Sequence, residues 1–216
     1  PYETELLDGR PRDVLPELVD DLEADWLATG VTGRGALSKL IVGSTSEALA
    51  HNPPCNLAIS HPRGIEWDDE PTIGVGVDFT DSSQRATRLA AEFARNIDAS
   101  LHVLHVVSPP TYEGYPLEGL ADTDFEDMSA LVDRMRSELD GFLDDLESDL
   151  EGVEIRRHVL SGYPTEEITH FAEDEELDGL FVGTAGRSAM ADFVVGSVER
   201  GIVKHAPCSL FLTPPA

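Results

Sequence analysis

Six residues toward the end of the chain combine types and spacing suited to holding an anion. Gly183, Gly186 and Gly196 stand as Gly-x2-Gly-x9-Gly, Arg187 follows the second of them, and Ser197-Val198 follows the third. A glycine lacks Cβ, so its backbone adopts angles closed to other residues and lets a ligand come close. A Gly-Ser step at the start of a helix offers unpaired N–H groups and the positive end of the helix dipole, both of which attract phosphate. Each anionic group held this way gains about 0.3–2 kcal/mol, so several donors must act together. Arg187 is a natural further partner for phosphate.

The same inventory argues against a strong catalyst. No Ser-His-Asp, Cys-His or zinc-ligand arrangement can be assembled from spacing, and the seven histidines fall at no metal-ligand interval. The phosphate-loop pattern G-x4-G-K-[ST] and the dinucleotide fingerprint G-x-G-x-x-G are both absent. Any hydrolysis of a bound nucleotide is therefore expected to be slow, for want of a general base. Cys55 and Cys208 each open an apolar run and read as packing residues, and paired acids such as Asp144 and Asp145 read as solvated helix face.

Strands and helices in alternation must position the glycines. TIGVGVDF (72–79) is a strand that ends at Asp78, and DSSQRATRLAAEFARNIDA (81–99) is a helix with a Ser or Asp cap. LHVLHVV is a second strand, 108–127 a loop, and 128–150 a long amphipathic helix; VEIRRHVL is a third strand. A helix begins at Pro164, since proline suits a first turn. LDGLFVG, VGSVERGIVKHA and CSLFLT then supply a fourth strand, a last helix and a fifth strand. Alternation of this kind predicts an α/β fold, a doubly wound parallel sheet with helices on both faces.

One offset runs through the chain. Gly30, Gly33, Arg34, Gly43 and Ser44 recur 153 positions later as Gly183, Gly186, Arg187, Gly196 and Ser197. The same offset joins Gly9 and Pro11 to Gly162 and Pro164, and Pro54-Cys55 to Pro207-Cys208. A gap-free register over about sixty residues points to duplication. Residues 1–62 match the back half only of 71–216, and 63–70 read as an acidic linker. In the partial copy, a strand over 3–7 is expected to lie beside one over 25–29.

Gly183-x2-Gly186-x9-Gly196-Ser197, a first strand ending in Asp78 and the Gly162-x-Pro164 turn resemble the universal stress protein family in its nucleotide-binding branch. The resemblance covers residue 72 to the end as one domain, and residues 1–62 as the C-terminal half of a tandem partner. It implies strand order 3-2-1-4-5, with ligand held at the switch between first and fourth strands. It implies ATP or another adenine nucleotide, with Mg2+ as its companion ion. Asp78 and Val106 would hold the nucleoside, Val182 would line base or ribose, and Gly183, Gly186, Gly196, Ser197 and Val198 would surround the phosphates. It also implies pairing of last strands, over 55–60 and 208–213, as a pseudo-dimer within one chain or a homodimer. The expected role is a stress-response or signalling module. Two other roles share these residue patterns: the regulatory part of a membrane transporter, and a weak nucleotide hydrolase of a related α/β superfamily. The loop DFTDSS lacks the Ser-Gly-Gly of ATP-pyrophosphatases, which counts against an enzyme of that kind.

Composition narrows the setting. Forty-two acids face fifteen Lys and Arg, a formal charge of -27, and only Lys39 and Lys204 are lysines. Binding to nucleic acid rests on basic residues, so no nucleic-acid partner is expected. The acids are spread along helices rather than gathered in a tail, as in a protein adapted to molar salt inside a halophile, where the screening length falls from about 10 Å to about 3 Å. No apolar run approaches the ~20 residues of a membrane span. Two cysteines make no disulfide framework, and a cytoplasmic setting is expected.

Overall fold

The computed structural model describes residues 2–31, 43–61, 70–108, 123–184 and 197–215. Within them lie α1 (Pro11–Leu22), β1 (Trp26–Gly30), α2 (Ser44–His51) and β2 (Asn56–Ser60). There follow β3 (Thr72–Gly76), α3 (Asp81–Ile97), β4 (Ser100–Val107), α4 (Thr123–Asp144), α5 (Glu147–Leu150) and β5 (Glu154–Ser161). The series ends with α6 (Pro164–Asp174), β6 (Gly179–Gly183), α7 (Ser197–His205) and β7 (Ser209–Thr213).

All seven strands form one sheet in the order β1-β2-β7-β6-β3-β4-β5. From β5 to β7 the order is the 3-2-1-4-5 expected, every pairing parallel. Strands β3, β6 and β7 are near-continuous apolar runs because helices cover both of their faces. On one face α6 and α7 close a core around Leu180, Val182, Ile202 and Leu212, which Leu49 of α2 and Leu57 of β2 extend. On the other, α3 and α4 bury Ile73, Val75, Leu101, Val103 and Phe181. The buried stripe of α3 is Ala86, Ala90, Ala91 and Ala94, and these short side chains let the helix lie close to the sheet.

Among the described residues the one antiparallel joint lies between β2 and β7, where Leu57 faces Leu212, Ala58 faces Phe211 and Ile59 faces Leu210. This is the contact expected between 55–60 and 208–213, made here within one chain. With the 153-residue offset, Ala58 meets its own counterpart and the flanking pairs exchange roles. The joint therefore has a local twofold axis between Ala58 and Phe211, the geometry of an isologous interface.

Element starts keep that offset: Pro11 and Pro164, Trp26 and Gly179, Ser44 and Ser197, Asn56 and Ser209. So do the backbone irregularities. Gly9 and Gly162 have φ of 139° and 151°, two residues before each N1 proline, a conformation that favours glycine. Glu23 and Glu176, at φ 48° and 50°, close α1 and α6 through Ala24 N–H to Val19 O and Leu177 N–H to Ala172 O, both at 3.0 Å. That six-to-one bond over a left-handed residue is the Schellman closure.

Three expectations need correction. Residues 3–7 belong to no strand, and Leu6 is 99% exposed; this acidic segment has no alternating apolar face to bury, so pairing would order backbone for little gain. The 128–150 helix is two helices, and the first starts earlier, at Thr123, which shortens the expected 108–127 loop. The cap of α3 is Thr80, whose Oγ1 accepts from Ser83 N–H at 3.3 Å, rather than Ser82 or an Asp. Several capping side chains crowd that turn, and the backbone selects the one in extended conformation.

Candidate functional site

The carboxyl ends of β3, β4 and β6 lie side by side because Gly76 is in register with Leu104 on one side and Val182 on the other. Asp78, Val106 and Gly183 are each one or two residues beyond these partners, so the fold brings them to one edge of the sheet. That edge is the switch point, since connections leave β3 toward β4 and β6 on opposite sides.

The exit of β3 is held by its neighbour. Val77 N–H donates to Leu104 O at 2.8 Å, and the Val77 carbonyl accepts from His105 Nδ1 at 2.8 Å, which fixes the ring's proton on that nitrogen. Phe79 then turns at φ 63° and sets its ring 4.5 Å from that of His105. The exposed Asp78 receives Thr80 N–H at 3.1 Å and the Thr80 hydroxyl on the same oxygen, Oδ1. Asp78 thus shapes the turn that starts α3, and its side chain is exposed at this edge of the sheet.

Val106 is half-buried against the core on the α6–α7 side, and Val182 is buried in it. Gly183 faces the opposite way. A Cβ there would lie 2.6 Å from Ser82 C and Ser83 N, so the first turn of α3 already occupies the space that glycine leaves open. Helix α7 begins at Ser197, and Val198 packs on the same core as Val106. Thr165 ties this helix start to α6, donating to Val198 O at 3.4 Å. Gly186, Arg187 and Gly196 lie outside the described residues.

Two residues at this edge carry no signal in the sequence reading. His105 orients the β3 exit, yet in LHVLHVV it reads only as one of two histidines on a strand. Thr184 is 3% exposed and its Oγ1 has no hydrogen-bond partner among the described residues, although its N–H donates to Thr213 O at 2.8 Å. A buried hydroxyl without a partner is costly in isolation, and this one borders Gly183. Its place directly after the fourth strand was the available clue.

Elsewhere the chemistry is subdued. His102 and His158 stack at 5.1 Å beneath Phe171 of α6. Burial, then the neighbouring His158, lowers the His102 pKa to about 4, and burial lowers that of His158, so both rings are neutral near pH 7. Burial raises the Cys55 thiol, the reverse of what a nucleophile needs. Among the described residues no cluster of three His, Cys, Asp or Glu side chains is arranged to hold a metal ion, and no helix is long and apolar enough to cross a membrane. A depression of about 670 Å3 lies away from the glycines, between α4, α5 and β5, with Asp144, Glu147, Glu151 and Arg157 on its walls.

Comparison with known proteins gives the same outline. The sequence model described as "Universal stress protein family" matches residues 1–61 and 71–214. A universal stress protein of Mycobacterium tuberculosis is 26% identical over 205 residues, 94% of this chain and 65% of that protein, so the chain spans about two thirds of that longer relative. The crystal structure of a putative universal stress protein from Pseudomonas aeruginosa superimposes with TM-score 0.68 at 13% identity, covering 97% of this chain and 69% of that one. A universal stress protein crystallised in complex with cAMP gives TM-score 0.51 at 21% identity, covering 69% of this chain and all of that one, 100%.

Proposed function

Because this chain belongs to the universal stress protein family, we propose that it is an adenine-nucleotide-binding module, with ATP as ligand, that acts in stress response or signalling. The observation that carries this reading is the meeting of Asp78, Val106 and Gly183 at the ends of three adjacent parallel strands, beside the start of α7. The complex of a related protein with cAMP supports an adenine ligand.

The residues described fit such a ligand. Asp78 accepts a hydroxyl or amine of the nucleoside, while Thr80 keeps its carboxylate turned outward. Val106 and Val182 offer apolar surface to the base and ribose. The Thr184 hydroxyl, without a partner among the described residues, gains an acceptor when phosphate lies over the β6 end, and the N–H groups at Ser197 and Val198 add their dipole. Gly186, Arg187 and Gly196 complete the phosphate cradle in this reading. Bound ATP supplies the charge that those donors recognise; a Mg2+ ion would be carried on its phosphates, as no side chain described here is arranged to hold one. No step of hydrolysis is assigned to any residue.

We also read residues 1–62 as the back half of a second such domain, 63–70 as a link, and 71–216 as the complete one, so the β2–β7 joint is a pseudo-dimer contact. Within residues 1–216, strands equivalent to β3 and β4 stand beside the glycine strand of 71–216, and one nucleotide bound by that domain follows. Mass spectrometry of small molecules released by acid from protein purified in molar KCl tests the function. Stoichiometric ATP or another adenine nucleotide supports it; protein that carries none and takes up none on incubation refutes it.

A further inference from the structure

Among the described residues four other than glycine have positive φ. Three of them, Glu23, Asp98 and Glu176, stand just past the ends of α1, α3 and α6, where a left-handed residue closes the last turn of a helix. Phe79 is different. At φ 63° it lies ahead of α3 and closes no helix. For a bulky side chain this conformation is an outlier, and it persists only where the surroundings over-determine it.

One imidazole does most of the holding. His105 Nδ1 donates to Val77 O at 2.8 Å, and the Phe79 ring lies 4.5 Å from the His105 ring. The two chain neighbours of Asp78 are therefore held by the same side chain, one by a hydrogen bond and the other by ring contact. Phe142 of α4 meets Phe79 edge-on at 5.8 Å and closes its other side. Val77 and Phe79 both pack in the core beneath α3 and α4, so alternation along the β3 exit turns Asp78 to the opposite face. That is the face on which Val106 packs, and the half-buried His105 immediately precedes Val106. Both bonds from Thr80 fall on Asp78 Oδ1, which leaves Oδ2 for a ligand.

We propose that His105 and Phe79 are positioning residues of the nucleoside site, a bracket on the far face of the sheet that fixes the Asp78 carboxylate beside Val106 before a ligand arrives. Neither touches the nucleoside, and each acts through Asp78. The inference rests on the nucleotide-binding reading of this edge. It also accounts for the outlier. A glycine at position 79 would reach φ 63° freely but would bring no ring for His105 and Phe142 to hold. The carboxylate would then be ordered only on binding, and that ordering is drawn from the affinity.

The test is calorimetric titration of ATP in molar KCl, on the full chain and two variants that each remove one half of the bracket. His105→Phe keeps a ring beside Phe79 and removes the donor to Val77. Phe79→Gly keeps the left-handed turn and removes the ring. Each should weaken ATP by about tenfold or more in a chain that still unfolds cooperatively in urea, and either one decides the matter if the other fails to fold. Placed on Asp78→Ala, each should change the affinity by less than about twofold, because the carboxylate that it positions is gone. A residue with a merely structural role would cost the same in both backgrounds. Native-like affinity in either folded variant, or equal losses with and without Asp78, overturns the proposal. A native chain that takes up no ATP refutes the nucleotide reading itself, and this proposal with it.

Discussion

At Gly183 a single hydrogen decides how two elements meet. Its missing Cβ admits the first turn of α3, whose Ser82 carbonyl carbon and Ser83 nitrogen would both lie 2.6 Å from an added methyl. Backbone cannot swing aside as a side chain does. Gly183→Ala should therefore cost about 1–3 kcal/mol of stability, the usual cost of overpacking, and displace the Asp78 turn with it. Urea denaturation checks this, and an unchanged midpoint would contradict it. The glycine was legible in the sequence, but its neighbour was not, since nothing in DSSQ announces which strand end it will touch. His102 gives a second test at this scale. Its pKa falls from an ordinary 6.5 to about 4 because of burial beside His158. The unfolded chain thus binds its proton first as pH falls, and the stability this group contributes is full above pH 6.5 and lost on the way to about pH 4. Around the ring stand His158, Arg156, Glu175 and Glu154. Thermal melts across that range should fall less steeply in His102→Phe than in the native chain; equal slopes would remove His102 from the account.

Among the elements, the helix ends repeat most faithfully. Both α1 and α6 start at a proline two residues after a positive-φ glycine, and both stop at a left-handed glutamate. The starts are legible, because Gly-x-Pro joins a permissive residue to one fixed for a first helical turn. The stops are not, since glutamate is seldom left-handed and each is compelled by the strand that follows. Releasing that Cβ strain by Glu176→Gly should raise stability by up to about 1 kcal/mol, after the greater chain entropy of glycine is set against it. Chemical denaturation measures the gain, and a loss would show that the glutamate side chains stabilise these turns. The same contrast explains the failed strand at 3–7. The 153-residue offset suggests a strand at 3–7, yet a strand persists only where a face is buried, and Tyr2 and Leu6 are nearly fully exposed.

For the molecule as a whole, charge and symmetry set the conditions. Against 42 acids stand 15 Lys and Arg, and the ion pairs among the described residues join partners at least 42% exposed. Surface pairs of this kind contribute only about 0–1 kcal/mol each, too little to offset repulsion that acts over about 10 Å at 0.1 M salt. The melting temperature should accordingly rise between 0.1 M and 2 M KCl, and a flat profile would contradict the reading of a salt-adapted surface. The order 3-2-1-4-5 and the joint of last strands were expected from the family resemblance, and the 153-residue register showed that both copies bring a last strand to that joint. The phosphate side of the site was legible as sequence alone, since Gly186, Arg187 and Gly196 fall outside the described residues. The central claim is that one adenine nucleotide binds where β3, β4 and β6 end, and calorimetric titration of ATP in molar KCl, for the native chain and for Asp78→Ala, measures it. One site per chain, weakened by about tenfold or more in the variant, a loss of about 1.4 kcal/mol or greater, is the result predicted. Two sites per chain, no binding, or affinity indifferent to Asp78 would contradict it.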